Sequence, residues 1–296
     1  MPQTKEQKKT TKDRDRIGVL FYGDSKGDFF NSVLTGINAA LPTVRSDPKL
    51  DVRFSPMNAA DQIRILDEMT KEPLKGLIIS PIDDISVAKR IRALTDKGIP
   101  VVTVHTDIAD SGRIAYVGTD PYKAGRVAAS QMCLMCEPKT EVGIVTGFHG
   151  IKGHEQRIKG FEDYLAENDK GLTVECIGEC RDDDYKAYEL VQKMQSDHPG
   201  ISAFFFATTG GIYGGCKGIW QMTTRLSFHV VTLDVLSATR DFMRKGLIDS
   251  SIYQNPKHQG ALALKILTQK IYEGKDPERE INLSELSIKT AECLYL

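Results

Sequence analysis

The side chains that could do chemistry in this chain sit in short loops, each directly after an apolar run. The first, Tyr22-Gly23-Asp24-Ser25-Lys26-Gly27-Asp28-Phe29-Phe30, follows Ile17–Tyr22. It sets carboxylates, which accept hydrogen bonds from hydroxyls, beside two rings, one of which can lie flat on an apolar ligand face. Phe30 reads as the anchor of the next helix, and Phe29, on the loop side, as the ring for ligand. Ser80-Pro81-Ile82-Asp83-Asp84 and His105-Thr106-Asp107 follow two more runs. Asp83 and Asp84 also suit helix caps, and His105 reads equally as a structural histidine. In the second half, Phe148 and Arg157 follow one run, Thr208-Thr209-Gly210-Gly211 another, Asp234 a third and Gln254-Asn255 the last. An arginine fork can bond two oxygens at once. Donors and acceptors of this kind suit a polyhydroxylated ligand.

The same residues do not assemble into a catalytic or metal set. There is no GxSxG elbow, no HExxH and no Cys–His–Asp grouping that spacing supports, so the chain is expected not to be an enzyme. Cys133 and Cys136 form a CxxC inside an apolar helical stretch, while Cys176 and Cys180 fall in a separate segment; these read as buried thiols, and no metal is expected. The glycine run from Gly210 to Gly218 has no following GK[ST] and does not fit GxGxxG at a first strand–helix turn, so it reads as close helix packing, with no nucleotide and no cofactor.

Presenting such loops requires elements of two kinds in alternation. Ile17–Tyr22, Val52–Met57, Gly76–Ser80, Val101–His105 and Tyr116–Gly118 read as buried strands. Phe29–Leu41, Ala60–Thr70, Ile85–Lys97 and Pro121–Cys136 carry helical spacing. The pattern repeats with strands at Val142–Thr146, Val174–Gly178, Ala203–Ala207, Val230–Leu233, Ser251–Tyr253 and Glu285–Lys289. Between and after these strands lie helices at Glu155–Asn168, Tyr185–Asp197, after the glycine run through Trp220, Ala238–Lys245 and Gln259–Glu273. Strict alternation predicts an α/β fold of parallel sheets covered on both faces, with ligand loops beyond the carboxyl ends of the strands.

With 296 residues, 41% hydrophobic and 27% charged, the chain has room for two ordinary domains. Its formal net charge of −1 gives no sign of a polyanionic partner, and no apolar run approaches the ~20 residues of a membrane helix. Residues 1–16 are almost wholly polar and do not read as a signal peptide. Six scattered cysteines, Cys133, Cys136, Cys176, Cys180, Cys216 and Cys293, suit a reducing compartment, so the expectation is a cytoplasmic protein.

These loops resemble those of the periplasmic-binding-protein type I superfamily, which includes ribose-binding proteins and the ligand-binding core of lactose/galactose-type repressors. The resemblance covers about residues 16–296. It rests on IGVLFYGDSKGDFFNSVLTGI, SPIDD, IPVVT, YVGTDPYKAGRVAA, HEQRIKGF, VVTLD and IYQNPKHQGALA. It implies two doubly wound parallel-sheet lobes joined by a multi-strand hinge, with ligand in a cleft between them. The implied division is a charged flexible tail at 1–16, an N-terminal lobe at 17–118 plus 254–283, and a C-terminal lobe at 119–253 plus 284–296. Asp83, Arg157, Asp234 and Gln254 fall at the family's sugar-contacting positions. With Tyr22, Asp24, Phe29, His105, Asp107, Phe148 and Thr209 they make up the expected ligand set. One departure stands out: where the family shows Ala-x-Asn-Asp, this chain has Ala207-Thr208-Thr209-Gly210, and the acid is lost.

ELSIKTAECLYL looks like the closing strand of the repressor branch. The resemblance therefore implies the sugar-like-effector core of a repressor-type transcription regulator, a homodimer that reaches DNA only through a headpiece absent from this chain and has no membrane partner. The alternative is the solute-binding protein of a sugar ABC importer, or an extracytoplasmic sensor domain.

Overall fold

A strand covered on both faces must be apolar at nearly every position, and Ile17–Tyr22 is buried throughout. In the computed structural model, which describes residues 14–23, 27–44, 46–168, 170–222 and 227–294, such runs build two six-stranded sheets. The chain divides into two units, Met1–Gly118 with Pro256–Leu283 and Thr119–Asn255 with Ser284–Leu296.

In the first unit the chain runs β1 (Arg16–Tyr22), α1 (Asp28–Ala40), β2 (Lys49–Ser55), α2 (Ala59–Met69), β3 (Gly76–Ile79), α3 (Ile85–Thr95), β4 (Val101–Val104) and β5 (Ala115–Gly118). The second unit follows with α4 (Pro121–Met135), β6 (Glu141–Thr146), α5 (Lys152–Asn168), β7 (Thr173–Glu179), α6 (Asp184–Asp197), β8 (Ile201–Phe206), α7 (Ile212–Met222), β9 (His229–Leu233), α8 (Ser237–Arg244) and β10 (Ser250–Tyr253). The chain then returns to the first unit for α9 (Pro256–Glu273) and β11 (Ile281–Leu283), and ends in the second with β12 (Ser287–Lys289).

Strand order is β11-β5-β4-β3-β1-β2 in one sheet and β12-β10-β9-β8-β6-β7 in the other. The order is the same in both, and it reverses beside β1 and beside β6. In such sheets ligands sit beyond the carboxyl ends of the strands at that reversal. All pairings are parallel except β10 with β12. The expectation of a single closing strand at 285–289 is revised: two three-residue strands, β11 and β12, close the two sheets separately. Ile281, Leu283 and Ile288 are exposed there, so burial periodicity carried little signal.

Helices cover both faces of each sheet. In the first unit one core layer joins Val33 and Ile37 of α1 to Ala263, Leu264 and Leu267 of α9; the other joins Leu66 and Met69 of α2 to Val87 and Ile91 of α3. Asn58, Asp84, Asp120 and Asp183 cap α2, α3, α4 and α6 by accepting from backbone N–H groups.

The two closest helix pairs use one device. A Cβ added at Gly36 of α1 would lie 1.8 Å from the Lys257 carbonyl oxygen, and one at Gly260 of α9 would lie 2.0 Å from that of Val33. In the second unit Gly125 of α4 meets the Arg157 carbonyl at 1.9 Å, and Gly160 of α5 meets that of Tyr122 at 2.0 Å. Backbone cannot move aside as a flexible side chain can, so these positions admit only hydrogen. Gly36→Ala is expected to destabilise the protein by about 3 kcal/mol in urea unfolding. Gly153→Ala, in α5 with nothing within 4 Å of the added carbon, should be neutral or stabilising by up to about 1 kcal/mol.

Candidate functional site

The loops at the carboxyl ends of the strands carry an unusual backbone. His105 after β4, Asp182 after β7, Asp234 after β9 and Asn255 after β10 have φ of 67°, 54°, 56° and 55°. Non-glycine residues pay for this left-handed conformation, and they keep it where surrounding structure holds them there.

In the second unit these loops converge on a buried charged network. Asp234 is wholly buried; its Oδ1 accepts from the Gln254 backbone N–H at 2.9 Å and its Oδ2 from the Gln254 side-chain amide at 2.6 Å. The Gln254 carbonyl oxygen in turn accepts from Thr119 at 2.9 Å and from Arg157 Nη2 at 3.3 Å. Arg157, 5% exposed, also donates from Nη1 to the Ala207 carbonyl at 3.1 Å. The residues directly after β5, β8, β9 and β10, with the second turn of α5, thus hold one carboxylate, one amide and one guanidinium.

Burial pushes the Asp234 carboxyl up to about 6, against the hydrogen bonds from Gln254 and the Arg157 charge that favour its ionised form. His154, on the first turn of α5, accepts from the Phe148 N–H at 3.2 Å. Burial and the nearby Arg157 charge drop its imidazole to about 3, so it is neutral at physiological pH. Thr208, not Thr209, makes the hydrogen bonds of its loop: its hydroxyl donates to Asp182 at 2.6 Å and accepts from the Gly210 N–H at 3.2 Å. Thr209 and Phe148 are half-buried nearby in the chain. Asp182, Thr119 and His154 were not singled out in the sequence, and of the two loop threonines Thr209 was placed in the ligand set; only its tertiary partners mark Asp182 out.

In the first unit His105 lies among rings, with centroids 4.4 Å from Phe29, 5.6 Å from Phe30 and 6.4 Å from Tyr22. Phe30 stacks on Phe21 at 4.7 Å, as befits a helix anchor, but Phe29 is equally buried against His105. Gln62, wholly buried, ties the loop after β3 by donating to the Ser80 carbonyl at 3.1 Å and accepting from the Ile82 N–H at 2.9 Å. Asp83 is exposed, while Asp84 caps α3. Asp107 is committed elsewhere: it accepts from Thr103 at 2.8 Å and forms a fork with Arg113, including Nη2 to Oδ2 at 2.6 Å. That pairing fixes the Asp107 carboxylate against Arg113. Asp24 lies outside the described residues. Among the described residues no group of three or more His, Cys, Asp or Glu is placed to hold a metal, and no helix is long and apolar enough to cross a membrane.

Residues 17–276 match the family model described as a periplasmic binding protein domain. The chain belongs to that family. Among curated relatives, the D-ribose/D-allose-binding protein of Pseudomonas aeruginosa is 22% identical, covering 75% of this chain and 71% of its own. The ABC transporter periplasmic-binding protein YphF of Escherichia coli is 22% identical over 81% of this chain and 79% of its own. Among solved structures, GanP, a glucose-galactose binding protein from Geobacillus stearothermophilus, superposes with a TM-score of 0.85 at 27% identity, covering 96% of this chain and 100% of its own.

These findings overturn the expectation of a cytoplasmic effector core of a transcription regulator. The periplasmic-binding-protein family keeps its place, but its matched members are named as transporter and sugar-binding proteins, and the homodimeric, DNA-linked repressor setting has no support among them. The misreading has a physical source. Both branches were read from the same strand-end groups, and the closing segment that pointed to the repressor branch, 285–296, holds among its described residues the three-residue edge strand β12 and a short helical turn, neither of which takes part in this network.

Titration separates the two shifted groups. A carboxyl raised in the folded state binds protons there more readily than when unfolded, so Asp234 contributes a loss of stability as pH rises from about 4 to about 6, on the order of 3 kcal/mol. A histidine depressed in the folded state acts oppositely, adding stability over the same interval. Urea unfolding at pH 4, 5 and 6 should therefore show Asp234→Asn gaining on the native chain as pH rises.

Proposed function

We propose that this chain is the extracytoplasmic solute receptor of an ABC-type importer and binds a monosaccharide without transforming it. The observation that carries this reading is the buried Asp234–Gln254–Arg157 network at the carboxyl ends of the second sheet. A sugar hydroxyl donates and accepts at once. A carboxylate with a lone pair to spare and a guanidinium fixed by the Ala207 carbonyl complement it, and their mutual bonds hold both in place before ligand arrives. Rings such as Phe29 and His105 suit the apolar faces of the same ligand class.

The names of the matched relatives support the sugar class and the transport setting, and their description as binding proteins supports a receptor without turnover. The family supports an extracytoplasmic location. Burial pushes the Cys180 thiol up to about 12 and the Cys136 thiol up to about 11, which keeps these two protonated and slow to react.

Thermal unfolding against D-ribose, D-allose, D-arabinose, D-glucose and D-galactose tests the proposal. At least one is expected to raise the midpoint, by about 2.7 kcal/mol of stability at a hundredfold excess over Kd. Arg157→Ala should weaken binding of that sugar by roughly 30- to 150-fold, as befits the loss of hydrogen bonds from a buried charge. No shift with any monosaccharide would contradict the sugar reading.

Because hydrogen bonds from sugar hydroxyls favour the ionised carboxylate, binding near pH 6 should also release protons from Asp234. Titration calorimetry in buffers of different ionisation enthalpy reads that release, and it should vanish in Asp234→Asn.

A further inference from the structure

We infer that Asp182 is a specificity-determining residue of this sugar site, its free carboxylate oxygen recognising a ligand hydroxyl; the inference rests on the sugar reading above. Four observations in the second unit carry it. The first is space. A Cβ added at Gly210 would lie 2.3 Å from the Asp182 Cβ, 2.5 Å from its Cγ and 2.6 Å from its Oδ1. Position 210 is where the sequence departs from Ala-x-Asn-Asp and an acid is missing. The carboxylate of Asp182, arriving from the loop after β7, fills the volume that a side chain at position 210 would take. Gly147, after β6, clears the other side: its Cβ would lie 2.3 Å from Asp182 Oδ1 and 2.7 Å from the His154 ring.

The second observation is fixation. Arg181 and Asp182 both have left-handed φ, 55° and 54°, and the loop is stitched to its neighbour by Cys180 N–H to Thr146 O at 2.8 Å and Arg181 N–H to Gly147 O at 2.7 Å. The third is valence. Asp182 Oδ1 accepts from Thr208 at 2.6 Å, whereas Oδ2 accepts no hydrogen bond among the described residues, although the side chain is half-buried. In Asp234, by contrast, both oxygens already accept from Gln254. The fourth is charge. The Arg157 guanidinium lowers the Asp182 carboxyl while burial, the larger effect, raises it, so the group sits in the field of the arginine proposed to hold ligand.

A half-buried carboxylate with one unclaimed oxygen beside a fixed guanidinium discriminates by geometry, since a hydroxyl of the wrong epimer leaves that oxygen unpaired. The test is isothermal titration of the five monosaccharides named above, which include the epimeric pairs ribose/arabinose and glucose/galactose. It compares the native chain, Asp182→Asn, and the exchange variant carrying Asp182→Gly with Gly210→Asp. The φ of Gly210 lies outside the left-handed region, so an acid there is unstrained, and its carboxylate would occupy the volume vacated at 182.

The expected result is at least a tenfold loss of affinity for the preferred sugar in Asp182→Asn, a collapse of the preference within its epimeric pair, and recovery of both in the exchange variant. Native affinity and native epimer ratio in Asp182→Asn would overturn the assignment while leaving the sugar site intact. An equal loss for every sugar that the exchange does not restore would reduce Asp182 to a packing role and also overturn it. Failure of the native chain to bind any of the five would overturn the sugar reading and this assignment with it.

Discussion

A carboxylate and a guanidinium taken out of water must find each other or a hydrogen-bonding intermediary, and much of the second unit is arranged to satisfy that demand. Asp234 and Arg157 do not touch directly; Gln254 stands between them, donating to one and accepting from the other. Removing the intermediary would leave two buried charges without their bridge. The backbone around the network is close-set: Gly125 of α4 meets the Arg157 carbonyl, and Asp234 keeps a left-handed backbone at the end of β9. The network's groups are hydrogen-bonded to one another without a ligand, and under the proposed receptor role such mutual bonds leave less ordering to be done on binding.

The first unit solves a different problem with the same sheet order. Its strand-end loops are held by neutral groups, Gln62, Ser80 and Thr106, and by stacked rings around His105. The charge pair there of Asp107 with the largely buried Arg113 is reinforced by Glu280 from the segment leading into β11. Charge is thus spent on structure in one unit and on the candidate site in the other, although the two chain segments follow one topology.

Much of this was legible in the residues. Continuous apolar runs such as Ile17–Tyr22 and Ala203–Ala207, alternating with helical stretches, read as doubly covered parallel strands, and the loops after them were found by position alone. Asp234 and Gln254 sit directly after β9 and β10 and Arg157 lies on α5, and the family resemblance put all three in the expected ligand set. What stayed hidden depended on contacts between distant segments. Asp182 looks like one charge in an acidic turn until Gly147, Thr208 and Gly210 are placed around it. The pairing of Asp107 with Arg113 joins two loop residues that no motif links. Thr208 and Thr209 are adjacent hydroxyls whose roles differ only by which one the turn aims at Asp182. The biological setting was misjudged for a related reason: the loops that read as sugar-binding did not separate a regulator core from a transport receptor, and the closing strand taken to point to the regulator is three residues long with Ile288 exposed.

The central claim is that the buried network around Asp234, Gln254 and Arg157 holds a monosaccharide. Its most direct test is a crystal structure of the chain with whichever monosaccharide binds most tightly. The account predicts sugar oxygens within hydrogen-bonding distance of the Arg157 guanidinium and an Asp234 carboxylate oxygen, with the Gln254 bridge unbroken. A sugar bound away from these groups, or an Arg157 that swings out of the network to make room for it, would contradict the account.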